Sequence, residues 1–177
     1  MDLRFLRFAR WTGALAAALS VGSCAAFQQL LSVEPPRFEV VRDRPSVLTL
    51  DPTSILSGRP LASVRIWARV TNPNTFGLTL SRLRGDLFLE DREMADVDLP
   101  LGLPLLAARD TVIPIDIRFG LPTLSSLGAL GEALLRRSAV DYKLDGTVGI
   151  DAGGFGQPTF GPRTWLQGQF EVRTEIH

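Results

Sequence analysis

Few residues of this chain can do chemistry, and their spacing forbids more than it builds. There is one cysteine, Cys24, and one histidine, the C-terminal His177, in 177 residues. A single thiol cannot close a disulfide within the chain, and one Cys with one His cannot complete a zinc site. No histidine is placed to serve a nucleophile, and Lys143 is the only lysine, so the hydroxyls of Ser, Thr and Tyr142 have no base to activate them. The acidic run Glu90, Asp91, Glu93, Asp96 and Asp98 has neither an EF-hand spacing nor a His-Glu-x-x-His signature, and reads as a solvated hairpin face. Gly149 to Gly161 is glycine-rich, but the Lys-Ser/Thr pair and following helix of a phosphate loop are missing, so it reads as a connection between strands. The pattern therefore predicts no catalytic, metal-ligating or cofactor-binding residue, and a chain that is not an enzyme.

Cys24 has a different chemistry. Arg4, Arg7 and Arg10 outweigh Asp2 in the first ten residues, and Trp11 to Val21 then carries no charge. That is the length of a signal-peptide apolar core, too short to span a bilayer comfortably. Val21-Gly22-Ser23 leads into Cys24, and the run resembles the lipobox of bacterial lipoproteins, in which the cysteine becomes the acylated first residue of the mature protein. The resemblance implies a signal peptide over 1–23 and a lipid anchor on Cys24. It implies a place in the cell envelope, with Ala25 after the cysteine favouring the periplasmic face of the outer membrane. Each buried methylene contributes about 0.8 kcal/mol, so two or three acyl chains hold where one would slip. Residues 24–36, with Gln28, Gln29 and Pro35-Pro36, read as an extended tether. The nineteen basic and nineteen acidic side chains cancel, which removes the electrostatic footprint of a nucleic-acid binder.

From Arg37 the dominant period is two. Val64, Ile66, Ala68 and Val70 alternate with polar neighbours, as do Val140, Tyr142, Leu144, Val148 and Ile150. Ile113 to Phe119 and Leu166 to Val172 repeat the pattern, and Phe38 to Val41 and Leu99 to Ala107 supply weaker strands. Between Leu78 and Glu90 the apolar phase slips from even to odd, which predicts a bulge or turn near Ser81-Arg82. Pro114 has no N–H to donate, which predicts an edge strand or a proline at a non-bonded position. Leu124, Leu127, Leu130 and Leu134 step at helical spacing, predicting one helix over about 123–137. About seven strands with one embedded helix predict a mainly β sandwich over 37–177.

One turn carries a family resemblance. The strand Val64 to Thr71 ends in Asn72-Pro73-Asn74, followed by Phe76-Gly77-Leu78 and the next strand. Pro73 stops the ladder, Asn72 and Asn74 can close Asx turns, and Gly77 tolerates positive φ. With Ala107-Ala108-Arg109-Asp110-Thr111, Tyr142-Lys143-Leu144-Asp145-Gly146 and a final strand from Trp165, the order of elements resembles the type 2 late embryogenesis abundant family, the water stress and hypersensitive response (WHy) domain. The resemblance covers about 37–172 and implies a folded immunoglobulin- or fibronectin-like antiparallel sandwich with one helix, associated with stress and desiccation tolerance.

Alternation places Trp67 and Trp165 on the outward faces of their strands. Indoles there are stacked on arginines, covered by other segments, or exposed as a patch for a lipid or peptide. The expected partners are thus the membrane, through the anchor, and an envelope protein or lipid. The alternative is a lipid or small apolar ligand-binding module, with Leu99, Leu101, Leu103, Leu105 and Leu106 around Pro100 and Pro104 as its apolar rim.

Overall fold

The structure is a computed structural model that describes residues 32–51, 54, 61–121, 132, 133, 136 and 139–174. Cys24 and the segment expected to be a signal peptide lie outside the described residues, as does the stretch 123–137 expected to be a helix, apart from three positions. Of these, Glu132 and Ala133 are helical, and the Arg136 N–H donates to the Glu132 carbonyl at 2.9 Å. The chain divides into two compact units, Met1–Val33 and Glu34–His177, and the described strands all belong to the second. Among the described residues no helix is long and apolar enough to cross a membrane.

Among the described residues eight strands carry the second unit: β1 (Arg37–Val40), β2 (Ser46–Leu50), β3 (Leu61–Thr71), β4 (Leu78–Leu89), β5 (Arg92–Leu105), β6 (Asp110–Gly120), β7 (Val140–Asp151) and β8 (Thr159–Thr174). They form one sheet in the order β1-β3-β2-β8-β7-β4-β5, with β6 paired to β3. β6 runs the full length of β3, so β1 and β2 share the opposite edge of β3, end to end. The expectation of two antiparallel layers needs correction. β2 also pairs with β8, in parallel, and that junction joins what would have been separate layers into one hydrogen-bonded sheet.

Side-chain alternation explains the core. Val64, Ile66, Ala68 and Val70 are buried on β3, as are Tyr142, Leu144, Val148 and Ile150 on β7. The phase slip in β4 is a bulge: register shifts between Leu80 and Arg82 against both β5 and β7, leaving Ser81 unmatched and restoring Leu83, Leu87 and Leu89 to the buried face. Each such leucine contributes about 1.5–3 kcal/mol when fully buried, so moving the phase by one residue without the bulge would place several on the wrong side. Pro114 lies on β6, which pairs only with β3, as its missing N–H requires.

β2 is hidden in the sequence. Ser46, Leu48 and Leu50 face inward, but outward Val47 blurs the alternation over only five residues. A close contact between glycines is equally silent there. Gly85 and Gly146 face each other across β4 and β7. A Cβ on Gly85 would overlap the Asp145 carbonyl and sit 2.6 Å from the Gly146 Cα, and Gly146 itself has φ +156°. Only glycine at both positions lets these strands pair so closely.

Candidate functional site

The Asn72-Pro73-Asn74 turn follows β3, where Pro73 interrupts the ladder and turns the chain towards β4. Asn72 is wholly buried and Asn74 nearly so, which requires every amide group to find a partner. The Asn72 Nδ2 donates to the carbonyls of Phe76 at 2.8 Å, Leu106 at 3.1 Å and Leu105 at 3.4 Å. Its Oδ1 accepts from the Asn74 N–H at 3.0 Å and from the Asn74 Nδ2 at 2.9 Å. Backbone bonds from the Asn72 N–H to the Arg109 carbonyl, and from the Ala108 N–H to the Asn74 carbonyl, tie the same knot to the β5–β6 corner. Gly77 has no left-handed φ. The asparagine side chains, rather than a permissive glycine, shape this turn.

Asn74 also reaches the segment entering the domain. Its Oδ1 accepts from the Glu34 N–H at 2.9 Å, and its Nδ2 donates to the Glu34 carbonyl at 3.0 Å. Two further contacts hold the same segment. Arg163 Nη2 donates to the Pro36 carbonyl at 3.3 Å, and Phe38 packs edge-on against Trp165 at 5.3 Å. The stretch Glu34–Phe38 is therefore a strap fastened at three points. Nothing in its composition signals this, since all three partners lie far along the chain.

The two tryptophans do not form one patch. Trp165 is 5% exposed although the neighbouring Leu166 fills the inward position. It is covered by Phe38 and by the Arg163 guanidinium, 3.7 Å from the ring centroid, and its Nε1 donates to the Gly146 carbonyl at 2.8 Å. Trp67 stays half-buried, with the Arg44 guanidinium 4.7 Å from its centroid. Beside it Arg65 and Asp116 make a two-point pair at 2.6 and 3.0 Å. Of the two, Trp67 alone leaves part of its indole open to solvent.

The remaining candidates are occupied by structural work. Glu90 and Asp91 form the left-handed tip of the β4–β5 hairpin, where the Glu90 carboxylate accepts from the Asp141 N–H at 2.8 Å. Asp98 receives Arg82 at 2.6 Å and Arg84 at 3.4 Å. Among the described residues no three His, Cys, Asp or Glu side chains are grouped to hold a metal. The glycine-rich loop already contains an anion, because the Asp151 carboxylate accepts from the Gly153 N–H at 2.8 Å. Leu105 is sealed under the asparagine knot, Leu99, Leu101 and Leu103 are half-buried on edge strand β5, and Leu106 is 70% exposed. Tyr142 is buried and stacked on Phe170 at 4.1 Å, with its hydroxyl 3.3 Å from that of Ser46. Burial pushes its pKa above the ordinary tyrosine value, and the Ser46 hydrogen bond offsets part of the rise.

A family model described as Late embryogenesis abundant protein (LEA_2) matches residues 68–163, a span that begins in β3, contains the asparagine knot and ends in β8. A solution structure from Arabidopsis thaliana is similar at 18% identity and a TM-score of 0.52, covering 78% of this chain and 87% of that one. A second solution structure, provisionally assigned as a late embryogenesis abundant protein, has 16% identity and a TM-score of 0.47 over 92% of this chain and 86% of its own. A crystal structure from Archaeoglobus fulgidus has 12% identity and a TM-score of 0.42 over 80% and 98%. No curated protein gives a significant match.

Proposed function

The chain belongs to the late embryogenesis abundant LEA_2 family, and from that membership we propose that it is a non-enzymatic protein of the cell envelope, lipid-anchored through Cys24, that protects partner proteins or membranes under water stress. The observation that carries the protective role is the family match across the knot and the strands around it. The anchor is supported by the lipobox-like run ahead of Cys24. A strap fastened to the domain from Glu34 suits a protein held from its N-terminal side, because a pull on the chain meets a packed edge at once.

Two measurements test the two halves of the proposal separately. Metabolic labelling with a fatty-acid analogue is expected to mark the wild type and to vanish in Cys24→Ser; persistent labelling of the variant overturns the anchor. The full chain is expected to reduce aggregation of a desiccation-sensitive enzyme on drying, and performance no better than that of an inert protein of similar size overturns protection. A second reading, an apolar ligand site, is favoured by the half-exposed Leu99, Leu101 and Leu103 on β5 beside exposed Leu106. Native mass spectrometry separates it, since that reading requires a bound lipid on the purified protein.

A further inference from the structure

The outward face of β8, β2, β3 and β6 carries its polar residues in register. Thr49 pairs with Ser63, Ser63 pairs with Arg118, and across the parallel junction Thr49 pairs with Arg173. Arg173, Thr49, Ser63 and Arg118 thus form one row across four strands, spanning about 14 Å at the usual strand spacing. Their strand neighbours Leu48, Leu50, Ala62, Val64, Ile117, Phe119 and Val172 are buried, which fixes all four side chains on the solvent side. The row holds two guanidinium groups and two hydroxyls, with no carboxylate among them.

The adjacent row is different. It reads Glu171, Val47, Arg65 and Asp116, and its charges are largely spoken for. Asp116 takes Arg65 at 2.6 Å, and Glu171 lies 3.1 Å from Arg173. Arg118 pairs with no carboxylate among the described residues, and neither the Thr49 nor the Ser63 hydroxyl has a hydrogen-bond partner there. All four members of the first row line one open cleft of about 680 Å³, which runs on to Trp67 and Arg44 and has Asp43 as its other acid. Thr49, Ser63 and Arg118 also border a second hollow of about 270 Å³, which has Asp51 as its acid and ends at Leu61, 51% exposed.

We propose that the Arg173–Thr49–Ser63–Arg118 row binds a phosphate group. A phosphate offers several acceptor oxygens in a tetrahedron, and the row offers donors from both sides with hydroxyls between them. The Arg118 fork suits two-point binding, and charge-assisted bonds of this type are about twice as strong as neutral ones. A carboxylate would use fewer of the donors. Arg173 exchanges Glu171 for the ligand at small cost, because an exposed ion pair of this kind contributes little. The two sources of such a group are a lipid headgroup and a free phosphate. The indole of Trp67 at one end of the cleft and Leu61 beyond the other give a lipid headgroup more to touch than an inorganic ion has.

The test uses the full chain in a nonionic detergent. Titration with inorganic phosphate is followed by calorimetry, and micelles doped with phosphatidylglycerol or phosphatidylcholine are followed by tryptophan fluorescence. Saturable binding is expected, weakened about tenfold or more by Arg118→Ala, less by Arg118→Lys, and a few-fold by Thr49→Val or Ser63→Ala. Near-ultraviolet dichroism of each variant shows whether the fold is intact. Phosphatidylglycerol micelles binding far more tightly than inorganic phosphate assign the row to a lipid headgroup, and comparable affinities assign it to free phosphate. Absence of saturable binding to every probe at millimolar concentration overturns the proposal. So does equal affinity in folded Arg118→Ala.

Discussion

Trp67 and Trp165 share an outward place in the sequence alternation and end in different environments, Trp67 in an unbroken ladder with β6 and Trp165 at a register shift of β8 against β7 that leaves it unmatched. Trp165 has a covered berth because the strap from Glu34 to Phe38 passes beside it and Arg163 closes over the ring. Its N–H also finds the carbonyl of Gly146, where glycine facing glycine draws β4 and β7 together. Trp67 has arginines and an ion pair for neighbours, and its face stays partly open. Burial of an outward indole is therefore decided by what the rest of the chain lays over it. The covered tryptophan is part of the packed region, and the open one leaves part of its ring to solvent.

The glycine pair beneath this contrast should give the largest response. Gly85→Ala forces a methyl group into the Asp145 carbonyl and against the Gly146 Cα, both of them backbone, so no side-chain movement relieves it. A loss of about 4 kcal/mol or more is expected in urea unfolding, enough to unfold a marginal domain. A mild effect would mean that β4 and β7 can separate at this point without cost, and that the Trp165 berth does not depend on their close approach.

Trp165→Ala comes next, at about 3–5 kcal/mol, the range for truncating a buried aromatic. Trp67→Ala should cost less, about 1–2 kcal/mol, since the half-buried ring hides only part of its area and its cation–π contact contributes about 0.5–1 kcal/mol. Equal losses in parallel unfolding curves would break the distinction between the two. Asn72→Ala should fall between them, at about 2–3 kcal/mol, because it strips partners from buried groups on Asn74 and at the β5–β6 corner. Amide exchange at Glu34 should quicken in the same variant, as Asn74 loses the group that orients it.

How much of the fold and the site is legible in residue order depends on the range of each signal. Alternation on β3, β6 and β7 gave the buried faces correctly, and the slip between Leu80 and Leu83 located the Ser81 bulge. Both are local signals. The asparagine turn was legible as a turn, but its hold on Glu34 was not, because that contact joins segments with nothing in common in sequence. Gly85 and Gly146 have no hydropathy to register, and outward Val47 hid β2. The donor row was the least legible. Thr49, Ser63, Arg118 and Arg173 sit on four strands, and only the pairing register sets them side by side.

Tyr142 gives a spectroscopic check on the covered region, since it is the only tyrosine. Its folded pKa is raised by burial above the ordinary value of 10.0. The neutral phenol is the form the fold accommodates, so its contribution is fully present below the unfolded pKa and is lost as pH rises through the folded one. Tyrosinate absorbance in the folded protein should therefore appear at higher pH than in the urea-unfolded chain, with stability declining over that interval. Coincident titrations would show that water reaches the ring beside Phe170 and Ser46.

The smallest effect concerns Trp67 and reads its neighbours directly. Arg44 stacks on the ring and Arg118 leaves a positive charge in the same cleft without a carboxylate partner among the described residues. An anionic quencher should be concentrated near this indole and a cationic one depleted, by a modest factor that fades as salt screens the field. Fluorescence lost in Trp67→Phe isolates its signal from those of Trp11 and Trp165. That signal should be quenched more by iodide than by caesium in low salt, and the bias should shrink in Arg118→Ala with little change in stability. Trp165, under its lid, should respond weakly to both ions. If the Trp67 signal shows no preference, the cleft does not gather anions, and the open tryptophan differs from the covered one in exposure alone.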